Sequence, residues 1–244
     1  MFTLITGASS GIGRATAVRL SGERPLILHG RNLARLEETR SLCASSDRHV
    51  VWPFDLQELP AIAGSLTSLL AERRVDAFVH CAGAVTLLPM RSMDYQAAQT
   101  TMNVNFFSAA EIVHLLLRKK INEQKLTNVV FISSIFSRFG ARGHAAYCAS
   151  KAALDGLMRA LAVELAPGVR VNSILPGAMK TSMSEGAFSD PEIVEKLQRD
   201  YPLGMGDPND VADAVAFVLS SSARWLTGQQ IAVDGGRTAN MSLK

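Results

Sequence analysis

This 244-residue sequence has few cysteines, no long apolar run and only a small excess of positive charge. Its three cysteines, Cys43, Cys81 and Cys148, are too few and too widely spaced for a disulfide framework, and no cysteine or histidine pair has zinc-site spacing. No apolar run approaches the roughly 18 residues of a membrane-spanning helix, and the first residues lack the basic segment of a signal peptide. We therefore predict a cytoplasmic protein with no membrane partner and no bound metal.

The charge balance argues against a nucleic-acid partner. The sequence has 25 lysines and arginines against 22 acidic residues, a net charge of +3, and the two signs are interspersed without a run of five like charges. Apolar residues make up 48% of the chain, and a globular chain of this length can bury roughly 70–75% of its extended surface. The composition therefore predicts a folded domain with a substantial core.

Short β-branched segments alternate with longer segments of helical period along the chain. The strand-like segments are Phe2–Thr6, Pro25–His29, His49–Pro53, Val75–His80, Asn128–Ser133, Val169–Leu175 and Gln230–Val233. Several are almost wholly apolar, which is typical of strands covered on both faces. The alternation predicts an α/β fold, with a doubly wound, seven-stranded parallel sheet and helices on both faces.

The clearest predicted helix covers residues 208–219, where apolar side chains recur at the spacing of one helix face. Asp207 is its expected N-cap and Pro208 its first helical residue. We expect one domain over residues 1–244. Within it, residues 182–206 are irregular and interrupted by glycine and proline, and we expect them to form a lid over the substrate.

A glycine-rich turn, TGASSGIG, follows the first predicted strand and leads into a helix. Gly7, Gly11 and Gly13 would permit a tight turn, close backbone approach to a pyrophosphate, and a helix N-terminus facing that anion. Their spacing differs from the usual G-x-G-x-x-G pattern, and three glycines can also form an ordinary turn. Their position at the start of a βαβ series favours a dinucleotide site.

The end of the second strand bears on which dinucleotide is bound. The sequence there reads Gly30-Arg31-Asn32, without the acidic residue that would accept the ribose hydroxyls of NAD. A planar guanidinium suits the extra 2′-phosphate of NADP, and a carboxylate would repel it. Arg31 therefore favours NADP(H) over NAD(H); the alternative is that Arg31 is simply a solvated surface residue.

Together these motifs resemble the short-chain dehydrogenase/reductase family, and the resemblance extends over nearly the whole chain. The segment Tyr147–Lys151 reads YCASK and resembles the YxxxK signature of that family, Ser134 lies 13 residues before the tyrosine, and Asn105 falls in an NVN segment. The resemblance is greatest to 3-oxoacyl-carrier-protein reductases and related carbonyl reductases. It implies a Rossmann fold and an oxidoreductase acting on a small carbonyl substrate.

The resemblance also implies roles for individual residues. Tyr147 would protonate the substrate oxygen, Ser134 would orient it, Lys151 would hold the nicotinamide ribose, and Asn105 would anchor a water that relays protons to Lys151. The coenzyme-binding residues it implies, together with Arg31, are Gly7, Ser9, Ser10, Gly11, Ile12, Gly13, Asn32, Asp55, Leu56, Ala82, Gly83, Tyr147, Lys151, Pro176, Gly177, Met179 and Thr181.

The chemistry places a requirement on the phenol of Tyr147. Its pKa would have to fall from about 10 towards neutrality, which corresponds to about 4 kcal/mol of differential stabilisation. Lys151 lies four residues later, on the same helix face, so its ammonium has the right sign and position. The positive charge of oxidised nicotinamide would add to that effect.

One segment departs from the pattern of the family. Where the family usually has Asn-Asn-Ala-Gly after the fourth strand, this chain has His80-Cys81-Ala82-Gly83. We expect Ala82 and Gly83 still to let the backbone pass beside the coenzyme, with His80 and Cys81 filling space. Asp55 has an alternative role as a helix cap.

The sequence therefore predicts an NADPH-dependent ketone or aldehyde reductase. The alternatives are an NAD-dependent alcohol or sugar dehydrogenase and a dinucleotide-binding regulator without turnover. The predicted helices near residues 94–120 and 145–165 are apolar on more than one face, which indicates burial against another subunit. The resemblance implies a dimer or tetramer built on these helices, so we expect a homo-oligomer.

Overall fold

Seven parallel strands form one sheet in the computed structural model, which describes residues 1–179 and 191–240. The strand order is β3-β2-β1-β4-β5-β6-β7, and every neighbouring pair is parallel. The strands are β1 Phe2–Thr6, β2 Leu26–Gly30, β3 Val50–Pro53, β4 Val75–His80, β5 Asn128–Ile132, β6 Arg170–Pro176 and β7 Gln230–Val233. The predicted fold class is confirmed, and no strand boundary is off by more than one residue.

Helices connect successive strands and cover the sheet. The described helices are α1 Gly11–Leu20, α2 Leu33–Leu42, α3 Leu59–Leu69, α4 Tyr95–Met102, α5 Ser108–Leu117, α6 Lys119–Asn122, α7 Ala145–Glu164, α8 Pro191–Asp200 and α9 Pro208–Leu219. A π-helical turn, Asn103–Phe107, joins α4 to α5. None of the helices within the described ranges is long and apolar enough to cross a bilayer.

The start of α9 follows the sequence prediction. The Asp207 side chain accepts a hydrogen bond from the Asn209 amide, and the Asp210 side chain accepts one from the Asp207 amide, so the two residues form a capping box. Pro208 occupies the first turn, where its missing N–H costs nothing. The predicted N-cap is therefore confirmed.

Two apolar clusters lie on opposite faces of the sheet. Phe78 and Phe131 belong to the cluster covered by α3, α5 and α7, whereas Ile5 and Leu28 belong to the cluster covered by α1, α2 and α9. All five residues of β2 are buried, which explains the unbroken apolar pattern of the central strands.

The order in which strands are added to the sheet reverses at β1. Its neighbours are β2 on one side and β4 on the other. In open α/β sheets, ligands bind at the carboxyl ends of the strands beside such a switch point. The segments predicted to bind coenzyme and substrate follow these strand ends. Thr181 and residues 182–190 of the predicted lid lie outside the described residues.

Candidate active site

The glycine turn after β1 is packed so closely that no side chain fits at Gly7 or Gly13. Gly7 has a φ of +69°, and a Cβ built on it would lie 2.8 Å from the Ala82 amide nitrogen. A Cβ on Gly13 would lie 2.2 Å from the Gly7 carbonyl oxygen. The turn therefore brings the backbone of β1, the first turn of α1 and the loop after β4 together, and only glycine fits at these two positions.

The ends of β2 and β3 form the next part of this edge. A Cβ on Gly30 would lie 3.2 Å from the Ser9 hydroxyl oxygen, and Arg31 is exposed beside it. Asn32 caps α2 by accepting a hydrogen bond of 3.0 Å from the Arg35 amide. Asp55 accepts one of 3.0 Å from the Gln57 amide in the turn before α3. The N-cap of α3 is Glu58, so the alternative role of Asp55 as the cap of that helix is wrong. Leu56 is buried.

The ends of β4 and β6 hold the remaining predicted coenzyme residues. The Ala82 amide donates to the Thr6 hydroxyl over 3.2 Å, which joins the loop after β4 to β1. Pro176 is the last residue of β6. The Gly177 amide donates to the Val233 carbonyl over 3.0 Å, and Met179 forms an isolated bridge with Gly206.

Three of the four predicted catalytic residues are brought together between β5 and α7. Ser134 lies two residues beyond the end of β5, and Tyr147 and Lys151 lie one turn apart near the start of α7. The Lys151 ammonium donates to the Ile132 carbonyl over 2.8 Å and lies 5.7 Å from the centroid of the Tyr147 ring. The i, i+4 spacing therefore places the cation beside the phenol, as predicted.

Asn105, the fourth residue, lies in the π-helical turn and is fully buried. Its amide nitrogen donates to the Ser150 hydroxyl over 2.8 Å and to the Ala84 carbonyl over 3.0 Å, and its carbonyl oxygen accepts from the Ala84 amide over 2.7 Å. Both N–H donors of the side chain are therefore occupied. The side chain therefore has no N–H left to donate to a relay water, and only its carbonyl oxygen could accept a further hydrogen bond.

The pKa of Tyr147 differs from the sequence prediction. Burial raises the pKa of this phenol above its ordinary value, and the hydrogen bond with Ser134 opposes that change only in part. Burial also lowers the pKa of Lys151 to about 8. The nearby carboxylate of Asp155 acts in the opposite direction, because its negative charge favours the protonated ammonium. The shift in the protein without coenzyme is therefore opposite in direction to the predicted fall, because the desolvation of the phenol outweighs the Ser134 hydrogen bond.

His80 makes a specific contact as well as filling space. Its Nδ1 lies 2.9 Å from the Thr6 hydroxyl oxygen, which already accepts the Ala82 amide hydrogen bond. Burial lowers the pKa of His80 to about 3, so the ring is neutral and Nδ1 can accept the Thr6 hydroxyl proton. Burial raises the pKa of the Cys81 thiol to about 12, so it stays protonated.

Two aromatic residues beside the phenol received no role from the sequence. The rings of Phe136 and His144 lie 5.1 Å apart, and their centroids are 6.4 and 6.3 Å from that of Tyr147. His144 Nδ1 lies 2.9 Å from the Arg142 carbonyl oxygen, which fixes the ring at the start of α7. Their positions in the sequence could have indicated that they lie near the phenol, since Phe136 follows Ser134 by two residues and His144 precedes Tyr147 by three.

The fold and the site define a dinucleotide-dependent oxidoreductase, and comparison with known proteins assigns the family. Residues 7–238 match the family model described as enoyl-(acyl carrier protein) reductase. D-erythrulose reductase of Gallus gallus is 32% identical over 237 residues, which covers 96% of this chain and 94% of the relative. The chain belongs to the short-chain dehydrogenase/reductase family. It acts on alcohol or carbonyl groups with a nicotinamide dinucleotide.

Two solved structures show the same fold with different coenzymes. A 4-hydroxyisoleucine dehydrogenase mutant complexed with NADH and succinate is 28% identical with a TM-score of 0.91, over 99% of this chain and 100% of that one. A putative NAD(P)-dependent gluconate 5-dehydrogenase from Beutenbergia cavernae with bound NADP is 30% identical with a TM-score of 0.91, over 98% and 97%. The likeness therefore supports a nicotinamide dinucleotide without choosing between the two forms.

The buried imidazole of His80 should make the protein sensitive to acid. The pKa of His80 is lower in the folded than in the unfolded protein, so the unfolded state binds the additional proton as the pH falls below about 6.5. Stability is thereby lost between about pH 6.5 and the folded pKa. The free energy of unfolding should therefore fall between about pH 7 and 4.5. In His80→Asn that fall should be smaller than in the unmodified protein, by about 2–3 kcal/mol.

Urea denaturation at the two pH values measures this difference. The unmodified protein, measured at the same two pH values, is the reference. An equal pH dependence in His80→Asn and in the unmodified protein would contradict the assignment.

Proposed function

We propose that the protein is a reductase that transfers hydride from NADPH to a ketone or aldehyde and releases the alcohol. The observation that carries this proposal is the position of Ser134, Tyr147 and Lys151 in one cluster at the carboxyl edge of the sheet. Asn105 is linked to the same helix through Ser150. A regulator that binds a dinucleotide without turnover has no need of this complete set.

The glycine turn fits the pyrophosphate of a dinucleotide. The absence of Cβ atoms at Gly7 and Gly13 lets the turn pack against the loop after β4 and against itself, which fixes its tight shape. The first amides of α1 have no partners within the helix, so they can donate to an anion. Ser9, Ser10, Gly11 and Ile12 would complete this phosphate site. Asp55 and Leu56 would flank the adenine, whereas Ala82, Gly83, Pro176, Gly177, Met179 and Thr181 would flank the nicotinamide half.

The chain supplies the proton and the orientation for the reaction. The bound coenzyme supplies the hydride. The Ser134 hydroxyl would donate a hydrogen bond to the substrate oxygen, and the Tyr147 phenol would protonate that oxygen as negative charge develops on it. Lys151 would hold the coenzyme ribose and return a proton to Tyr147. Because burial raises the pKa of Tyr147, its proton is retained until an alkoxide forms.

Several features bear on the substrate and the cellular setting. The family model takes its description from an acyl substrate and a relative reduces erythrulose, so we infer a small carbonyl compound, either 3-oxoacyl-like or sugar-like. The predicted lid, residues 182–206 of a single domain, would close over it. Three free cysteines support a reducing cytoplasmic location, and the charge pattern supports no nucleic-acid partner.

Replacing Tyr147 with Phe tests the reaction directly. This change removes the hydroxyl and keeps the ring, so turnover should fall at least about a hundredfold, the lower range for general acid catalysis, while NADPH still binds. The measurement is NADPH oxidation against a panel of ketones and aldehydes, with coenzyme binding followed by fluorescence. Binding by the unmodified protein with no turnover on any carbonyl or alcohol would favour the regulator instead.

Replacing Arg31 with Ala tests the coenzyme. Arg31 is exposed at the end of β2, and no acidic residue occupies positions 30–32, so a 2′-phosphate would find a cation there. The KM for NADPH should rise about tenfold or more, with little change in that for NADH, because a charge-assisted hydrogen bond is lost. Equal changes for both coenzymes would refute NADP preference and favour the NAD-dependent dehydrogenase, which the NADH-bound relative illustrates.

The surface of the α4–α5 and α7 helices supports a homo-oligomer, a dimer or a tetramer. Tyr95, Phe107 and Val163 are exposed there, with Val163 82% exposed. These exposed apolar side chains lie on the helices for which the sequence predicts burial against another subunit. Light scattering at working concentration should give a mass at least twice that of the 26.2 kDa chain, and a monomer would contradict the proposal.

A further inference from the structure

Arg14 joins the coenzyme turn to a neighbouring helix through four hydrogen bonds. It lies in the first turn of α1, and its guanidinium donates to both carboxylate oxygens of Glu38 on α2, over 2.8 and 2.9 Å. It also donates to the Ser9 carbonyl over 2.8 Å and to the Thr39 hydroxyl over 3.1 Å. The planar fork therefore contacts both α2 and the turn.

Thr39 strengthens the same connection from the buried side of α2. Its hydroxyl oxygen lies 3.0 Å from the Ala8 carbonyl oxygen and 3.1 Å from that of Arg35. Thr39 is fully buried, whereas the Glu38 side chain is more than half exposed. Two successive carbonyl groups of the glycine turn are therefore held by side chains, that of Ala8 by Thr39 on α2 and that of Ser9 by Arg14 on α1, whose guanidinium also bonds Glu38 on α2.

Holding these carbonyls also orients the amides that follow them. In a trans peptide the C=O and the next N–H point in opposite directions. With the Ala8 and Ser9 carbonyls directed towards α2, the N–H groups of Ser9 and Ser10 are turned to the other side of the turn. Backbone N–H groups presented together in this way are what an anionic phosphate requires.

We propose that Arg14 and Thr39 are positioning residues that hold the glycine turn in its phosphate-binding conformation, with Glu38 as the counter-ion that fixes the Arg14 fork. The inference rests on the proposed function and extends it, because it assigns coenzyme affinity to side chains behind the turn. It differs from the role of Arg31, since a preformed turn serves the pyrophosphate that NADH and NADPH share.

The test compares dissociation constants for NADH and NADPH, measured by nucleotide fluorescence, in Arg14→Met and in Thr39→Val. Both constants should rise about tenfold in Arg14→Met, the factor carried by one charge-assisted hydrogen bond. The KM of each coenzyme should rise by a similar factor, and kcat at saturating coenzyme should fall by a smaller one. Arg14→Lys and Thr39→Ser, which keep a donor, should recover part of the affinity.

Arg19→Met is the matched control. Arg19 lies on the same helix and forms two ion pairs, with Glu23 at 2.9 Å and Asp213 at 2.7 Å, neither of which involves the turn. Its side chain is 43% exposed, against 26% for Arg14. Its coenzyme affinities should stay within twofold of the unmodified protein. Thermal melts followed by circular dichroism verify that each variant is folded. If Arg14→Met does not fold, the coenzyme affinities of Thr39→Val decide the test.

The possible results separate the two proposals. Binding of both coenzymes by Arg14→Met and Thr39→Val with unchanged affinity would overturn the inference and leave the proposed function in place. An equal loss in Arg19→Met would overturn it as well, because the effect would then be one of general charge. Failure of the unmodified protein to bind either coenzyme would overturn both.

Discussion

The site depends on a steric constraint, the direct contact of backbone segments where Gly7 meets Ala82. A Cβ at Gly7 would lie 2.8 Å from the Ala82 nitrogen, so the ends of β1 and β4 can be this close only without a side chain. That closeness lets the Thr6 hydroxyl accept the Ala82 amide and approach His80. The glycine turn is therefore fixed against the loop after β4, whose Ala84 is hydrogen-bonded to Asn105.

The second requirement is a buried cation held at a defined position. Lys151 is almost fully buried, and its hydrogen bond to the Ile132 carbonyl fixes the ammonium at the end of β5. Removing the charged ammonium from water costs free energy, and this cost lowers the pKa of Lys151 to about 8. Asp155, one turn further along α7, offsets part of that cost. Helix α7 thus carries the phenol, the cation and the opposing carboxylate in sequence.

Much of the fold, and the proximity of the candidate catalytic residues, could be predicted from the sequence because the signals are local. The apolar run Leu26–Gly30 is buried on both faces, and the four-residue spacing of Tyr147 and Lys151 fixes their common helix face. What could not be predicted depends on distant partners. Arg14 meets Glu38 24 residues later, and the net effect of burial on Tyr147 depends on the packed environment. The periodicity of apolar residues in the sequence carries no information about the Arg14–Glu38 pair or about the burial of Tyr147.

The π-helical turn between α4 and α5 has a consequence for how this region tolerates change in length. It contains one more residue than the α-helical turn that it replaces, and Asn105 lies within it. Deleting a single residue from Asn103–Phe107 would restore regular helix, but would rotate everything on one side by about 100° relative to the other. Helices α4 and α5 could then no longer keep their present faces on the same side, so the number of residues in this turn is constrained as well as the identity of Asn105.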